Sequence, residues 1–268
     1  MTLSVVIITY NEEANLGRTL ASVMPLVRDG KGEIIIVDSG STDRTLEIAK
    51  SFGAKVFVEE WKGYAAQKNS AIDKATGDWV LSLDADEALG STTGQVIQKI
   101  IGPEAEIYEG VSGYWFSRKN YFLGRWIKHG GFYPDRKLRL FRKGHGHFED
   151  RAVHETLSVD GRTEHALDSE IVLEHHSYPT LSDYMEHMNR YSSLGAEMVV
   201  AKGNGRVRFS VVNIVLRPLA TFVYNYFFRL GFLDGREGLL LHLYHAVYVS
   251  WKYAKAWELS RTNTPKTN

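Results

Sequence analysis

The chain has 268 residues, 44% of them hydrophobic and 12% aromatic, enough for one large domain or a domain with an appendage and leaving little room for disorder. Its 32 basic and 32 acidic side chains cancel, so no net field favours a general nucleic-acid binder. Cys is absent, which excludes disulfides and thiolate metal sites and suits a reducing compartment.

The opening "MTLSVVIITYNEE" has an apolar run too short for a signal-peptide core and no basic stretch before it, so it reads as a first strand. Apolar runs then alternate with polar amphipathic segments, the pattern of strand-helix-strand units in a parallel sheet. "LSVVIIT", "EIIIVDS", "KVFVEE" and "DWVLSLDAD" are the expected strands. Helices are expected over 14–27, with Asn11 near the cap, over 43–52 and over 63–77, the last two ending at Gly53 and Gly77. The polar residues that stand out all follow strand ends: Tyr10, Asn11 and Glu12 after the first, Asp38 and Ser39 after the second, Asp84 and Asp86 after the fourth. Ligands of open α/β sheets bind in that crevice.

Beyond Gly113 the texture changes to short aromatic and basic segments, "GYWFSRKNYFLGRW" and "RKLRLFRKGHGHF", which read as mixed or antiparallel strands. A helix is expected over 180–202, with Ser182 or Asp183 near its start. Residues 202–258 hold 8 Lys or Arg against 3 acids, with 12 aromatics. Arg217, Arg229 and Arg236 interrupt any membrane-spanning run and Pro218 breaks it further, so two readings stand: helices lying in the headgroup region of an anionic leaflet, or a helical pair packing on the domain or forming a dimer. The tail from 261 is expected to be disordered.

The ordered set "TYNEE", "VDSGSTDRT" and "QKNSAIDKATGDWVLSLDAD" resembles the family 2 inverting glycosyltransferases over residues 3–87. The resemblance implies a GT-A fold: a Rossmann-like, mostly parallel nucleotide-binding sheet over 1–112, a mixed or antiparallel acceptor half over 113–180, and amphipathic C-terminal helices over 181–260. It implies that Thr9, Tyr10 and Glu12 line the nucleotide pocket, that Asp38 accepts from a uracil imide, and that Lys68 and Asn69 stand near the ribose and diphosphate. Asp84 would contact ribose or a metal-bound water, and Asp86 would ligate the Mg²⁺ or Mn²⁺ that offsets charge on the departing diphosphate. Strand alternation places Asp84 and Asp86 on one side as long as the strand persists.

An inverting transfer also needs a carboxylate to take the acceptor's proton. "YPDRKLRLFRKGHGHFEDRAVHETL" resembles the branch that includes lipopolysaccharide-core β-glucosyltransferases, and on that resemblance Glu155 is the expected base, with Asp150 second and His154 a further metal ligand. An ordinary polar role for His154 stays open. Arg136, Arg139 and Arg142 cannot share one strand face, since Arg139 has the opposite parity. The resemblance implies a UDP-sugar donor and a lipid-linked or lipopolysaccharide acceptor at the cytoplasmic membrane face. Transfer to polyprenyl phosphate or protein stays open, as do a homo-oligomer, a nucleotide-sugar-binding module without catalysis and, on "VLSLDADEA" alone, an aspartyl-phosphate phosphatase.

Overall fold

The computed structural model describes residues 1–102, 110–149, 155–165, 171–203, 205 and 207–262. They form two compact units: Met1–Lys119 with Pro134–His176, and Asn120–Tyr133 with the chain from Ser177 onward. The division comes at His176, just before the expected boundary at 180, and the second unit takes Asn120–Tyr133 out of the stretch assigned to the acceptor half.

In the first unit the chain runs β1 (Leu3–Thr9), α1 (Leu16–Val27), β2 (Gly32–Asp38), α2 (Thr45–Ser51), β3 (Lys55–Val58), α3 (Tyr64–Asp73) and β4 (Trp79–Asp84). The four strands are parallel in the order β3-β2-β1-β4. Period-2 alternation along β1 explains the layering. Leu3, Val5 and Ile7 pack on the α1 side with Leu16, Leu20 and Val23, while Val6 packs on the α3 side with Ala65, Ala71 and Ile72. A strand buried on both faces has to be apolar throughout, as "LSVVIIT" is.

After β4 follow β5 (Glu87–Leu89), α4 (Thr93–Ile101), β6 (Val111–Phe122), β7 (Arg125–Trp126), β8 (Asp135–Arg142), β9 (Gly146–Glu149), β10 (Thr156–Val159), β11 (Arg162–His165) and β12 (Val172–Tyr178). β8 joins β4 antiparallel and the sheet continues β8-β6-β12-β5, giving the mixed second half expected from the short aromatic segments. Between β6 and β8 the register slips: Tyr114 faces Leu140 but Trp115 faces Leu138. Arg139 is therefore the extra residue of a bulge, a device that re-aims a side chain, and it is buried in the run Leu138–Arg139–Leu140–Phe141.

In the second unit β7 folds back on the end of β6, and Phe122, Ile127, Tyr184 and Leu241 form a small core. α5 (Leu181–Lys202) opens with a capping box in which Thr180 and Asp183 satisfy each other's backbone N–H, so the cap is two residues before Ser182 and Asp183 lies in the first turn. π-turns at Val212–Leu216 and Tyr224–Phe228 flank α6 (Arg217–Val223), and α7 (Gly235–Thr262) packs on α5 through Ala196, Val200 and Ala256. Pro218 does not end the helix: it lies in the first turn of α6, where a missing N–H is tolerated. α7 continues to Thr262, two residues into the expected tail, whose remainder lies outside the described residues. Among the described residues no helix is long and apolar enough to cross a membrane.

Candidate active site

The turns after β1 and β2 are stitched together by their own polar side chains. Asn11, with φ of 53°, receives Thr42 N on Oδ1 at 2.8 Å and donates its N–H to Ser41 Oγ at 2.8 Å. Asn tolerates that left-handed conformation better than most residues, which explains its place between Tyr10 and Glu12. Glu12 N donates to Thr45 Oγ1 at 2.7 Å and Glu13 N to Asp43 Oδ2 at 3.1 Å. The motifs "TYNEE" and "GSTD" thus build one ledge at the C-terminal edge of the sheet.

Asp38 lies at the base of this ledge, fully buried. Its Oδ1 accepts from Gly40 N and Ser41 N at 2.9 and 2.8 Å, and its Oδ2 accepts from Thr9 Oγ1 and Ser41 Oγ at 2.8 and 2.5 Å. Four donors satisfy a carboxylate, so Asp38 organises the loop, and a base imide would have to displace one of them. Tyr10 is exposed at the mouth. Burial raises the Glu12 carboxyl above its ordinary value, an effect that Asn15 opposes and the charges of Asp86, Asp43 and Asp84 reinforce, so Glu12 feels both carboxylates of the Asp-x-Asp.

β4 ends at Asp84, and Asp86 follows in a turn. α1 fixes that turn: Thr19 Oγ1 donates to Ala85 O at 2.7 Å. Because the strand stops at Asp84, alternation no longer aligns the two carboxylates, and they face different partners. The condition for alternation to align them, a strand that persists to Asp86, is not met. Asp84 Oδ1 lies 2.7 Å from Lys68 Nζ and Asp84 Oδ2 lies 2.6 Å from Arg139 Nη2. Burial alone would raise the Asp84 carboxyl, but Arg139 and Lys68 overcome it and hold it well below the ordinary carboxylate range. Asp86 Oδ2 instead lies 3.3 Å from His175 Nε2, brought there by the antiparallel pairing of β12 with β5.

Beneath Asp84 lies a second tier that the sequence left unassigned. Glu87 is fully buried; its Oε1 is 2.7 Å from Arg139 Nη2 and 3.1 Å from Arg118 Nη1, and its Oε2 accepts Asp84 N at 3.1 Å. Arg118 continues to Asp135 Oδ2 at 2.7 Å. A buried carboxylate needs such pairing, and two guanidiniums provide it. Burial works against the Arg139 charge, but Asp84 and Glu87 keep it raised above the usual arginine value.

Lys68 connects the tier to the expected base. Its Nζ lies 2.7 Å from Glu155 Oε1 as well as from Asp84. Burial opposes the Lys68 charge, but Asp84 and Glu155 outweigh both burial and the nearby Arg139, so its ammonium is held above the ordinary value. The Asn69 amide exchanges two hydrogen bonds with the backbone of Phe148, at 2.8 and 2.9 Å, and clamps β9 to α3. Its neighbour Gln67 is fully buried with both amide atoms unpartnered among the described residues. Asp150 and His154 lie outside the described residues.

Among the described residues, Asp86 and His175 are a pair that fits a divalent cation. Among the described residues no three carboxylate or imidazole groups converge on one point. Small divalent cations that act on diphosphates take one or two protein ligands and complete their shell with phosphate oxygens and water, so a two-residue site suits that chemistry. From the sequence His175 stood only among four histidines, with His145, His147 and His176, that lack the spacing of a zinc site. Its signal was "EHHSY" on a strand, without spacing that tied it to Asp86.

Comparison with known proteins shows the family and the fold. The chain is 30% identical over 96% of its length, and 92% of the relative's, to the lipopolysaccharide core biosynthesis glycosyltransferase LpsC of Rhizobium meliloti (strain 1021). It is 31% identical over 96% of its length, and 87% of the relative's, to an uncharacterized glycosyltransferase of Rickettsia typhi (strain ATCC VR-144 / Wilmington). The mannosyltransferase PcManGT of Pyrobaculum calidifontis, solved with GDP-Man and Mn²⁺, shares the fold at a TM-score of 0.52 and 16% identity, over 95% of this chain and 86% of that one. The model of the family described as Glycosyl transferase family 2 matches residues 4–153, and the chain belongs to that family, as a glycosyltransferase of GT-A fold.

Proposed function

We propose that this glycosyltransferase moves a hexose, glucose from UDP-glucose, with inversion, onto a lipid-linked or lipopolysaccharide-core acceptor at the cytoplasmic face of the membrane. The observation that carries the reading is the separation of the Asp-x-Asp into two roles: Asp84 neutralised by Lys68 and Arg139, Asp86 set beside His175. A dication is repelled where two cations already neutralise a carboxylate, whereas Asp86 and the imidazole beside it offer an oxygen and a nitrogen ligand. Asp86 and His175 would hold Mg²⁺ or Mn²⁺, which would neutralise charge on the diphosphate. The likeness to the relative named for lipopolysaccharide core biosynthesis supports the acceptor class, and "UDP" rests on the resemblance of the β1 and β2 turns.

In this reading the ledge from Thr9 to Glu12 and Asp38 orients the nucleoside, and Asp84 meets the ribose on the side away from its two cations. Glu155 removes the acceptor hydroxyl's proton as that oxygen forms its bond to the anomeric carbon. The bond from that carbon to the diphosphate breaks on the opposite face and the nucleotide leaves with the electron pair. Lys68, shared by Asp84 and Glu155, holds the base in register with the donor-binding carboxylate. Membership of the glycosyltransferase family removes the phosphatase reading.

The test is a screen of UDP-, GDP- and dTDP-hexoses with Mn²⁺ against lipid extracts, read by nucleotide release and by sugar incorporated into the lipid fraction. Release from UDP-glucose that depends on a lipopolysaccharide-core fraction supports the assignment. Preference for a GDP-sugar overturns the donor, and preference for polyprenyl phosphate or protein overturns the acceptor. Tight nucleotide-sugar binding without turnover in every fraction favours the binding module.

A further inference from the structure

We propose that residues 209–233 form a preordered docking surface for an anionic lipid bilayer. The proposal extends the membrane part of the reading above and needs neither its donor nor its acceptor.

Val212, Leu216, Leu219, Val223 and Phe227 recur at helical spacing along the segment, and all five are exposed. Phe228, beside them, is 74% exposed, and Phe232 and Leu233 extend the apolar surface into the turn before α7. Soluble monomers rarely leave so continuous a patch open to water. The opposite side of the segment is packed: Ser250 Oγ donates to Ile214 O at 2.8 Å, Phe209 meets Trp257 edge-on at 5.2 Å, and Arg217 donates to the Tyr253 hydroxyl and lies over its ring. One face is therefore fixed to α7 while the other is left exposed among the described residues of its unit.

Charge identifies the occupant. Residues 203–233 contain no Asp or Glu, whereas Arg208, Arg217, Arg229 and Arg236 are all exposed along or just beyond the segment. An aliphatic and aromatic face flanked by arginines, with Tyr224 among them, matches the boundary between headgroups and acyl chains of an anionic leaflet. A nucleic acid gives aliphatic side chains nothing to bury against, and no helix among the described residues is suited to spanning. The segment thus lies on the bilayer.

The structure also narrows the surface foreseen over 202–258. α7 turns Leu241, Ala246, Val249 and Ala256 inward, so most of it is core-facing. The docking face is held in shape by the turn that follows it. Leu230 adopts φ of 61°, and buried Asp234 accepts Lys128 N and His129 N at 3.1 and 2.8 Å and lies 2.9 Å from His129 Nδ1. A surface already ordered before docking loses little conformational freedom on contact.

The test is flotation of the full chain with phosphatidylcholine vesicles containing or lacking phosphatidylglycerol, at low and high salt, without donor or acceptor. The expected result is co-flotation only with anionic vesicles, weakened by salt, and about tenfold weaker partition for Phe228→Asp, which removes one exposed aromatic from the face. Circular dichroism and nucleotide release by the free protein, both unchanged in Phe228→Asp, separate loss of docking from loss of fold or of the transfer reaction. No co-flotation, or equal binding to neutral vesicles, overturns the proposal. So does a concentration-dependent dimer in solution that Phe228→Asp dissociates, because the face would then belong to a second copy.

Discussion

Lys68 Nζ lies 2.7 Å from Glu155 Oε1, although 87 residues separate the two, and the same ammonium is 2.7 Å from Asp84 Oδ1. The candidate base and the donor-binding carboxylate are thereby joined through one buried cation, and each prediction about the site follows from removing a member of that set.

Lys68→Met leaves two carboxylates facing each other without their shared cation. Breaking a buried ion pair from one side costs about 3–5 kcal/mol. The variant is expected to unfold at lower denaturant concentration and to lose kcat by two orders of magnitude or roughly so, because Glu155 is no longer held. Lys68→Arg keeps the charge but not the compact ammonium, and is expected to recover stability more than kcat. Denaturant titration with steady-state kinetics on both variants checks this.

Glu87 and Arg139 act as positioning residues beneath Asp84. Glu87→Gln removes the charge that Arg118 and Arg139 share, and is expected to destabilise by about 3 kcal/mol, with a larger effect on KM for the donor than on kcat. Arg139→Lys has a shorter side chain, which does not reach the Nη2 position 2.6 and 2.7 Å from Asp84 and Glu87, and is expected to resemble Glu87→Gln. The split between KM and kcat is the decisive readout, since a purely structural defect lowers the active fraction and moves kcat alone.

Much of this site was legible in the sequence and part was not. β1, β2 and β4 announced themselves as apolar runs ending in polar residues, because strands buried on both faces leave no other pattern. Asp84, Asp38 and Glu12 could therefore be placed at the right edge of the sheet. Arg139 could not, since strand parity assumes regular pairing and the bulge between β6 and β8 breaks it. His175 reaches Asp86 through a long-range antiparallel pairing that no local spacing encodes. The bonds of the Asn69 amide to the backbone of Phe148 likewise follow from a long-range contact, between α3 and β9, that the motif does not encode.

Stability should fall on acidification in two stages. Burial pushes His245 from 6.5 down to about 4, helped by the charges of His242 and Lys252. The unfolded chain takes up that proton near pH 6.5 and the native one resists until about pH 4, so stability declines across that interval. Burial works to raise Glu33, but Lys55, Ser4 and Thr76 bring it from 4.5 to about 2. Its contribution is complete above pH 4.5 and disappears as pH falls toward 2. His245→Phe should flatten the first stage and Glu33→Gln the second, in urea titrations at stepped pH.

Mn²⁺ binding isolates the cation site from turnover. Measured by electron paramagnetic resonance with UDP present, His175→Ala is expected to weaken Mn²⁺ by about 10- to 100-fold. His175→Gln, which keeps a polar group without the imidazole, should not restore it. Unchanged affinity in His175→Ala would place the second ligand elsewhere.

The central claim is that Asp86, and not Asp84, carries the metal and diphosphate of the sugar donor. The most direct measurement compares Mn²⁺-dependent nucleotide release from UDP-glucose by the wild-type enzyme, Asp86→Ala and Asp84→Asn, with Mn²⁺ affinity determined on the same samples. Loss of both release and Mn²⁺ binding in Asp86→Ala, with Mn²⁺ binding retained in Asp84→Asn, is the predicted result. Metal-dependent release by Asp86→Ala at the wild-type rate would contradict the account.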